Sequence, residues 1–411
     1  MSIRLLNLSL RALTLAIKFG FILSLAVFLP PEHVGLYGLI TVTVLYSIYF
    51  VGFEFYTFST RDLVARPQSQ WTRLLSSQMV FFILMYIVVL PASSVLFWLE
   101  MLPWNTMAAF VALVVLEHLS TELMRLLVAI EKPLLATLIL FVKQALWAAC
   151  FIFAMWLSPA FRNISDLLLF WVVGTLFSLF IGIVPLLRLD WHGALAKIDW
   201  AWIRAGIRIA IPLLISTVAV RALFTIDRYA FEALNGLALL GAYSVYMGVA
   251  SAILSFMESG VFVFYYPKMM KSYKEGDLLD FEKAYKKLAR QSILWLAVLM
   301  GGALVAGWVI FPLLEEPLYA DNLALFGATV LVMAVYISGY IPQYGLYTTG
   351  RDKNIILSNV SGVGVAGVVL VIMSSYMEYW AVTIGMLAGS AVATLLKYRR
   401  WMATRRDLVL V

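Results

Sequence analysis

The stretch Ser9–Phe28, "SLRALTLAIKFGFILSLAVF", decides the fold, because it is long and apolar enough for a membrane helix yet holds Arg11 and Lys18. A crossing helix needs about 20 mostly apolar residues. Arg4, Arg11 and Lys18 recur every seven residues, which at about 3.6 residues per turn returns to nearly the same face. Arg11 can reach the headgroup boundary along its aliphatic stem. Lys18 lies roughly 10 Å deeper, at about 1.5 Å per residue, and needs protein or water around it.

The rest of the chain is of the same kind. Its 411 residues are 63% hydrophobic and only 13% charged, with a mean hydropathy of +0.93, whereas soluble domains carry about 25% charged residues. This composition predicts an all-α polytopic membrane protein with no large soluble domain. Cys150 is the single cysteine, which excludes an intramolecular disulfide and a cysteine metal cluster; it is expected to be inert packing. His33, His118 and His192 are too scattered for a zinc site. No G-x-x-x-x-G-K-[ST] loop occurs, so ATP hydrolysis by the chain is not expected. Lys18 and the following "LPPEHVG", without a small-residue cleavage pattern, argue against a removable signal peptide.

Twelve spans are read at 9–29, 35–58, 75–98, 106–129, 134–157, 167–187, 207–230, 241–266, 291–312, 323–347, 354–375 and 378–397. The loops between them alternate in charge. One set holds Arg61, Arg66, Arg73, Lys132, Arg188, Lys197, Lys268 to Arg290, Arg351 and Lys353, and with it go Arg4 and the tail Arg399 to Arg406. The other set offers only Arg162. By the positive-inside rule both termini are cytoplasmic, and the net charge of +7 reads as orientation and attraction to membrane lipids, not nucleic-acid binding.

Two basic-side segments have helical periodicity of their own. In 188–206, Trp191, Leu195, Ile198 and Trp202 suit an amphipathic surface helix; in "GDLLDFEKAYKKLARQ", Asp277 is placed to cap a helix carrying Phe281, Tyr285 and Leu288. The first of these joins two halves that echo each other. "GLYGL" opens the second span and "GAYSV" the eighth, so two pseudo-symmetric six-helix bundles are expected, 1–187 and 207–411, with a linker at 188–206.

Charges recur where lipid would forbid them, at about 2.5–3.5 kcal/mol each on insertion scales. The fourth span carries Glu117, His118, Thr121, Glu122 and Arg125 on one broad face, with Glu122 and Arg125 placed to pair. Lys143 and Gln144 stand in the fifth span, with no carboxylate three or four residues from Lys143. The seventh span repeats the heptad spacing with Arg221 and Arg228, beside Asp227, and the eighth holds Glu258 with Ser251 and Ser255. Glu54 reads as a local partner for Arg61 or as an interface residue. Lys18, Arg125, Lys143, Arg221 and Arg228, with Arg11 at the boundary, outnumber the deep acids and suit a cavity for an anion such as a diphosphate. Asp227, Glu258, Glu122 and Glu117 are the candidates to exchange a coupling ion. Tyr37, Tyr46, Tyr246 and Tyr344 are candidates to stack on sugar rings, against a simpler reading as packing.

In order along the chain, "GLYGL", "FSTRDL", "ELMRLLVAIEKP", "AIPLL", "IDRY", "GAYSV", "YYPKM" and "YTTGRDKN" resemble the Wzx-type polysaccharide flippases of the multidrug/oligosaccharidyl-lipid/polysaccharide exporter superfamily. The resemblance implies a MATE-like fold of two bundles about a central cavity, in the bacterial cytoplasmic (inner) membrane. It implies transfer of a polyprenyl-diphosphate-linked oligosaccharide, such as an O-antigen unit, to the outer leaflet by alternating access. It further implies no cofactor beyond a coupling H+ or Na+, and a polysaccharide polymerase and chain-length regulator as partners. The related lipid II flippases usually carry two further C-terminal helices, which this chain lacks. The rivals are a cation-coupled drug or metabolite antiporter, which would want an acidic cavity, and a membrane polymerase or glycosyltransferase, which would want larger outer loops than "PPEHVG".

Overall fold

The computed structural model describes residues 3–193 and 198–409. Among these residues every regular element is helical, and twelve helices are long and apolar enough to cross a membrane. They are Leu5–Phe28, Pro31–Gly52, Gln68–Trp98, Trp104–Ala129, Pro133–Leu157, Ile164–Arg188, Trp200–Asn235, Leu237–Lys274, Leu278–Leu313, Leu323–Thr348, Asp352–Ser374 and Glu378–Leu408. Helices follow from the solvent: in hydrocarbon each backbone amide needs a partner within its own segment. Large apolar side chains such as Ile87, Phe180 and Val371 accordingly remain on the outside.

Contacts group the chain into two compact units, one of Met1–Leu29 with Leu36–Arg221, the other of Pro30–Gly35 with Ala222–Val411. The division falls inside the seventh span. Residues 30–35 join the second unit because two backbones meet there. A Cβ on Gly35 would run into the Leu237 carbonyl, and one on Gly241 into Pro31, so only glycine allows the approach. These are the glycines of "GLYGL" and "GAYSV". Within the second unit the last two spans pack through Gly362, Ala366, Gly389 and Ala393, small residues that bring helix backbones together where no hydrophobic drive separates helix from lipid. Trp401, fully buried, lies against Gly345 and Tyr285.

The segment 188–206 is not one surface helix. Residues 189–193 are non-helical and the helix starts again at Trp200, while Leu195 lies outside the described residues. Asp190 Oδ1 accepts from the His192 amide at 3.0 Å and Gly193 takes φ +67°, a side-chain-closed turn and a left-handed residue that competed with the helix and won. Asp199 then caps the seventh span, accepting from the Trp202 amide at 2.9 Å. It also pairs with Arg73 at 3.1 Å, and its own amide donates to Ser77 Oγ at 2.9 Å, while the Trp202 indole donates to Asp62 at 2.8 Å. The second expected surface helix does form. Asp277 caps it at 2.8 Å, but it runs without a break into the ninth span.

The second span also ends differently from its sequence reading. It stops at Gly52, and Phe53 and Glu54 both take φ +54° before a short helix Tyr56–Ala65. Glu54 is buried there and makes no ion pair with Arg61; the local pair is Asp62 with Arg66, at 2.8 Å. Two spans carry wider π turns, at Val142–Leu146 and at Glu258–Phe262, each around a candidate charge. Cys150 is exposed, at a surface cleft beside Trp147 and Phe170, not packed inside.

Candidate functional site: three charged clusters and three exposed cations

The polar stripe of the fourth span is not one face. Its helix turns Glu117 and Thr121 toward the fifth and sixth spans, and His118 and Glu122 toward the third. In the first cluster Glu117 Oε2 meets Lys143 Nζ at 2.7 Å, with both side chains about 95% buried (5% and 6% exposed). The other carboxylate oxygen accepts from Trp171 Nε1 at 2.8 Å and Thr175 Oγ1 at 3.1 Å. Lys143 donates further to Thr121 Oγ1 at 2.7 Å and to the Glu117 carbonyl at 3.1 Å. The partner that the sequence lacked at helical spacing comes from another helix. Lys143 is therefore paired with Glu117 and enclosed. A buried pair so fully hydrogen-bonded offsets its desolvation, and losing one partner strands the other.

In the second cluster Arg125 pairs with Glu122 at 2.5 Å as the sequence predicts, and lies 3.6 Å from the Tyr56 ring centre. Gln78 donates to the second Glu122 oxygen at 3.3 Å. His118 meets the Tyr86 hydroxyl at 2.6 Å through Nδ1. Both Glu122 oxygens thus have donors already.

The third cluster is in the second unit. Asp227 Oδ2 pairs with Arg228 at 2.5 Å and accepts from the Tyr243 hydroxyl at 2.8 Å. Its Oδ1 is buried with no hydrogen-bond partner among the described residues, and the side chain borders a cavity of about 60 Å³ with Ala222, Ala366, Gly367, Gly385 and Met386. Arg228 is mostly buried and held by its neighbour, so it too is less available than its sequence suggests.

The remaining charged candidates are exposed. Arg11 is on the surface of the first span, and the Arg4 side chain lies outside the described residues. Lys18 is exposed, with Nζ 3.4 Å from Gln144 Oε1 and within electrostatic range of Glu117 and Lys143. It stands about 20 Å along the helix from Leu5 and about 15 Å before Phe28, near the middle of the first span. Arg221 is exposed with its guanidinium 5.1 Å from the Tyr49 ring centre, and Glu258 is exposed on its π turn. Of the tyrosines, Tyr246 is fully buried and donates to the Tyr319 carbonyl at 2.7 Å, which makes it a packing residue. Tyr37, Tyr46 and Tyr344 are half-buried.

One deep cation escaped the sequence reading. Lys397, 3% exposed, donates to Gln343 Oε1 at 2.8 Å between the twelfth and tenth spans. "LLKYRR" reads as the basic end of a span, which hid it.

The fold is shared with a multidrug resistance MATE family transporter of the MOP superfamily in an inward-facing conformation: TM-score 0.75 at 12% identity, with 99% of each chain covered. It is equally shared with the lipid II flippase MurJ in an inward closed conformation, TM-score 0.75 at 11% identity, over 97% of this chain and 87% of that one. A MOP superfamily transporter from Pyrococcus furiosus, described by the reversed polarity of its binding pocket, matches at TM-score 0.59 and 15% identity, over 98% and 94%. No curated protein matches the sequence. The family model described as "Polysaccharide biosynthesis protein" matches residues 5–272, well over half of the chain, and the chain therefore belongs to that family of multi-pass membrane proteins.

Proposed function

We propose that the chain is a Wzx-type flippase, which carries a polyprenyl-diphosphate-linked oligosaccharide from the cytoplasmic to the outer leaflet of a bacterial inner membrane, with both termini cytoplasmic. The observation that carries the reading is Lys18, an exposed ammonium near the middle of the first span whose hydrogen-bond partner is a neutral amide. An ammonium there needs water or an anion beside it, and a diphosphate supplies the anion. A sugar head loses hydrogen bonds to water on entering hydrocarbon, each costing about 2–7 kcal/mol if unmet, so a polar path along the protein lowers the barrier while the polyprenyl tail stays in lipid. Arg221, also exposed, is the second contact for the diphosphate. Lys143, Arg125 and Arg228 serve by holding Glu117, Glu122 and Asp227 in place.

Coupling to H+ or Na+ is assigned to Asp227. It alone of the four acids pairs a partnerless buried oxygen with an adjoining cavity among the described residues. Glu117 and Glu122 have donors on both oxygens. No cofactor and no catalytic group enter this scheme, and a polysaccharide polymerase and chain-length regulator are the expected partners.

The test is transfer of a fluorescent polyprenyl-diphosphate oligosaccharide across proteoliposomes, read by protection from a membrane-impermeant quencher. Lys18→Gln should slow transfer about tenfold to a hundredfold, since hydrogen bonds to charged groups contribute about 1.5–3 kcal/mol. Wild-type transfer no faster than in protein-free vesicles would overturn the flippase reading. The likeness to a MATE transporter favours one alternative, antiport of an organic cation against an ion gradient, and uptake of such a cation in the same vesicles would establish it instead.

A further inference from the structure

The second unit also holds a row of tyrosines. On the tenth span Tyr336, Tyr340, Tyr344 and Tyr347 follow one another at four, four and three residues, so they share one face over about 16 Å of helix. The eighth span, at and just beyond its π turn, adds Phe262 and Tyr266. The rings form a continuous chain: Tyr336 to Tyr340 at 5.6 Å, Tyr340 to Tyr344 at 6.3 Å, Tyr344 to Tyr266 at 5.1 Å and Tyr266 to Tyr347 at 5.8 Å. Phe262, 1% exposed, backs the row, stacked on Tyr340 at 5.7 Å and 6° and packed on Tyr344 at 4.9 Å.

The row is not ordinary core. Tyr336, Tyr340, Tyr344 and Tyr266 are half-buried and Tyr347 is 51% exposed, with the Tyr336 and Tyr340 hydroxyls 3.4 Å apart, whereas Tyr243 and Tyr246 in the same unit are sealed. Nor does it suit lipid. A belt tyrosine sits at the headgroup level, but this row continues from the basic "TGRDK" turn into the span, where phenol groups facing hydrocarbon would be costly. Half-exposed rings fixed from behind by a buried phenylalanine, with phenol oxygens along the edge, present apolar faces beside hydrogen-bonding groups. That combination matches a pyranose ring, which has an apolar C–H face and a rim of hydroxyls.

We infer that the row Tyr336–Tyr340–Tyr344–Tyr347, with Tyr266, is the saccharide-stacking track of the second unit. It receives the sugar head from the basic-loop side, one ring handing over to the next. This rests on the flippase reading and adds to it where the sugars, not the diphosphate, are held. Stacking is tolerant of sugar identity because any pyranose has an apolar face.

The experiment measures binding of two probes to the full chain in nanodiscs: undecaprenyl diphosphate carrying a neutral N-acetylhexosamine disaccharide, and undecaprenyl diphosphate alone. Wild type should bind the saccharide probe more tightly than the bare one. Tyr340→Leu with Tyr344→Leu should weaken the saccharide probe about tenfold, as expected for two ring contacts of about 0.5–1.5 kcal/mol each, and leave the bare probe within about twofold. Tyr340→Phe with Tyr344→Phe, which keeps the rings, should retain most of the saccharide preference. An equal loss for both probes in the leucine variant, or no loss for the saccharide probe, would overturn the track while the flippase reading stands. Failure of wild type to bind either probe would overturn both.

Discussion

Replacing Lys143 by methionine keeps most of the length of the unbranched side chain and removes its charge, and so isolates what the Glu117–Lys143 pair does. Lys143 is 5% exposed and gives up three contacts on substitution: Glu117 Oε2 at 2.7 Å, the Glu117 carbonyl at 3.1 Å and Thr121 Oγ1 at 2.7 Å. Glu117 would keep Trp171 and Thr175 as donors but lose its counter-charge in a closed site. Removing one partner of a buried pair costs about 3–5 kcal/mol, whereas replacing both by neutral groups of similar shape is close to neutral. Lys143→Met should therefore destabilise the chain by that amount. Lys143→Met with Glu117→Gln should return to within about 1 kcal/mol of wild type, since the glutamine carbonyl can still accept from Trp171 and Thr175. The assay is a double-mutant cycle on unfolding in mixed micelles of increasing denaturing detergent, with transfer of the fluorescent lipid measured on the double variant. A single variant as stable as wild type, or a double variant no better than the single, would refute the structural account of the pair. A stable double variant that has lost all transfer would return Lys143 to the substrate path.

Two further expectations follow from the packing. Asp199→Ala removes the cap of the seventh span and the contact to Arg73; it should cost about 0.5–2 kcal/mol and raise the rate of limited proteolysis between Arg188 and Trp200. Gly345→Val places a side chain against the Trp401 indole, whose nearest atoms stand only 2.7 Å from a Cβ on that glycine; overpacking of this kind costs about 1–3 kcal/mol and should lower the melting temperature, with Gly260→Ala, where a Cβ meets nothing within 4 Å, as the tolerated control.

The order and number of the spans were legible in the sequence because lipid imposes one rule on every segment, and hydropathy reports it directly. Local pairs were legible for the same kind of reason: Glu122 with Arg125 and the cap at Asp277 depend on neighbours along one helix. Pairing between helices was not. Nothing in spacing tells that Lys143 meets Glu117, that Arg228 shares Asp227 with Tyr243, or that Lys397 is enclosed beside Gln343. The count of deep cations accordingly overstated the open positive charge.

The amino-acid sequence by itself determined a polytopic all-α membrane chain, the alternating charge of its loops and the presence of ionisable groups inside its spans, since each follows from local composition against the solvent. Only the tertiary structure decided which of those groups are spent on one another and which remain exposed. That depends on the rotation of each helix about its axis, and rotation is set by close packing at sites such as Gly174 against Trp147 and Gly182 against Ile139 and Leu123. It is this packing that enclosed Lys143 and left Lys18 in the open.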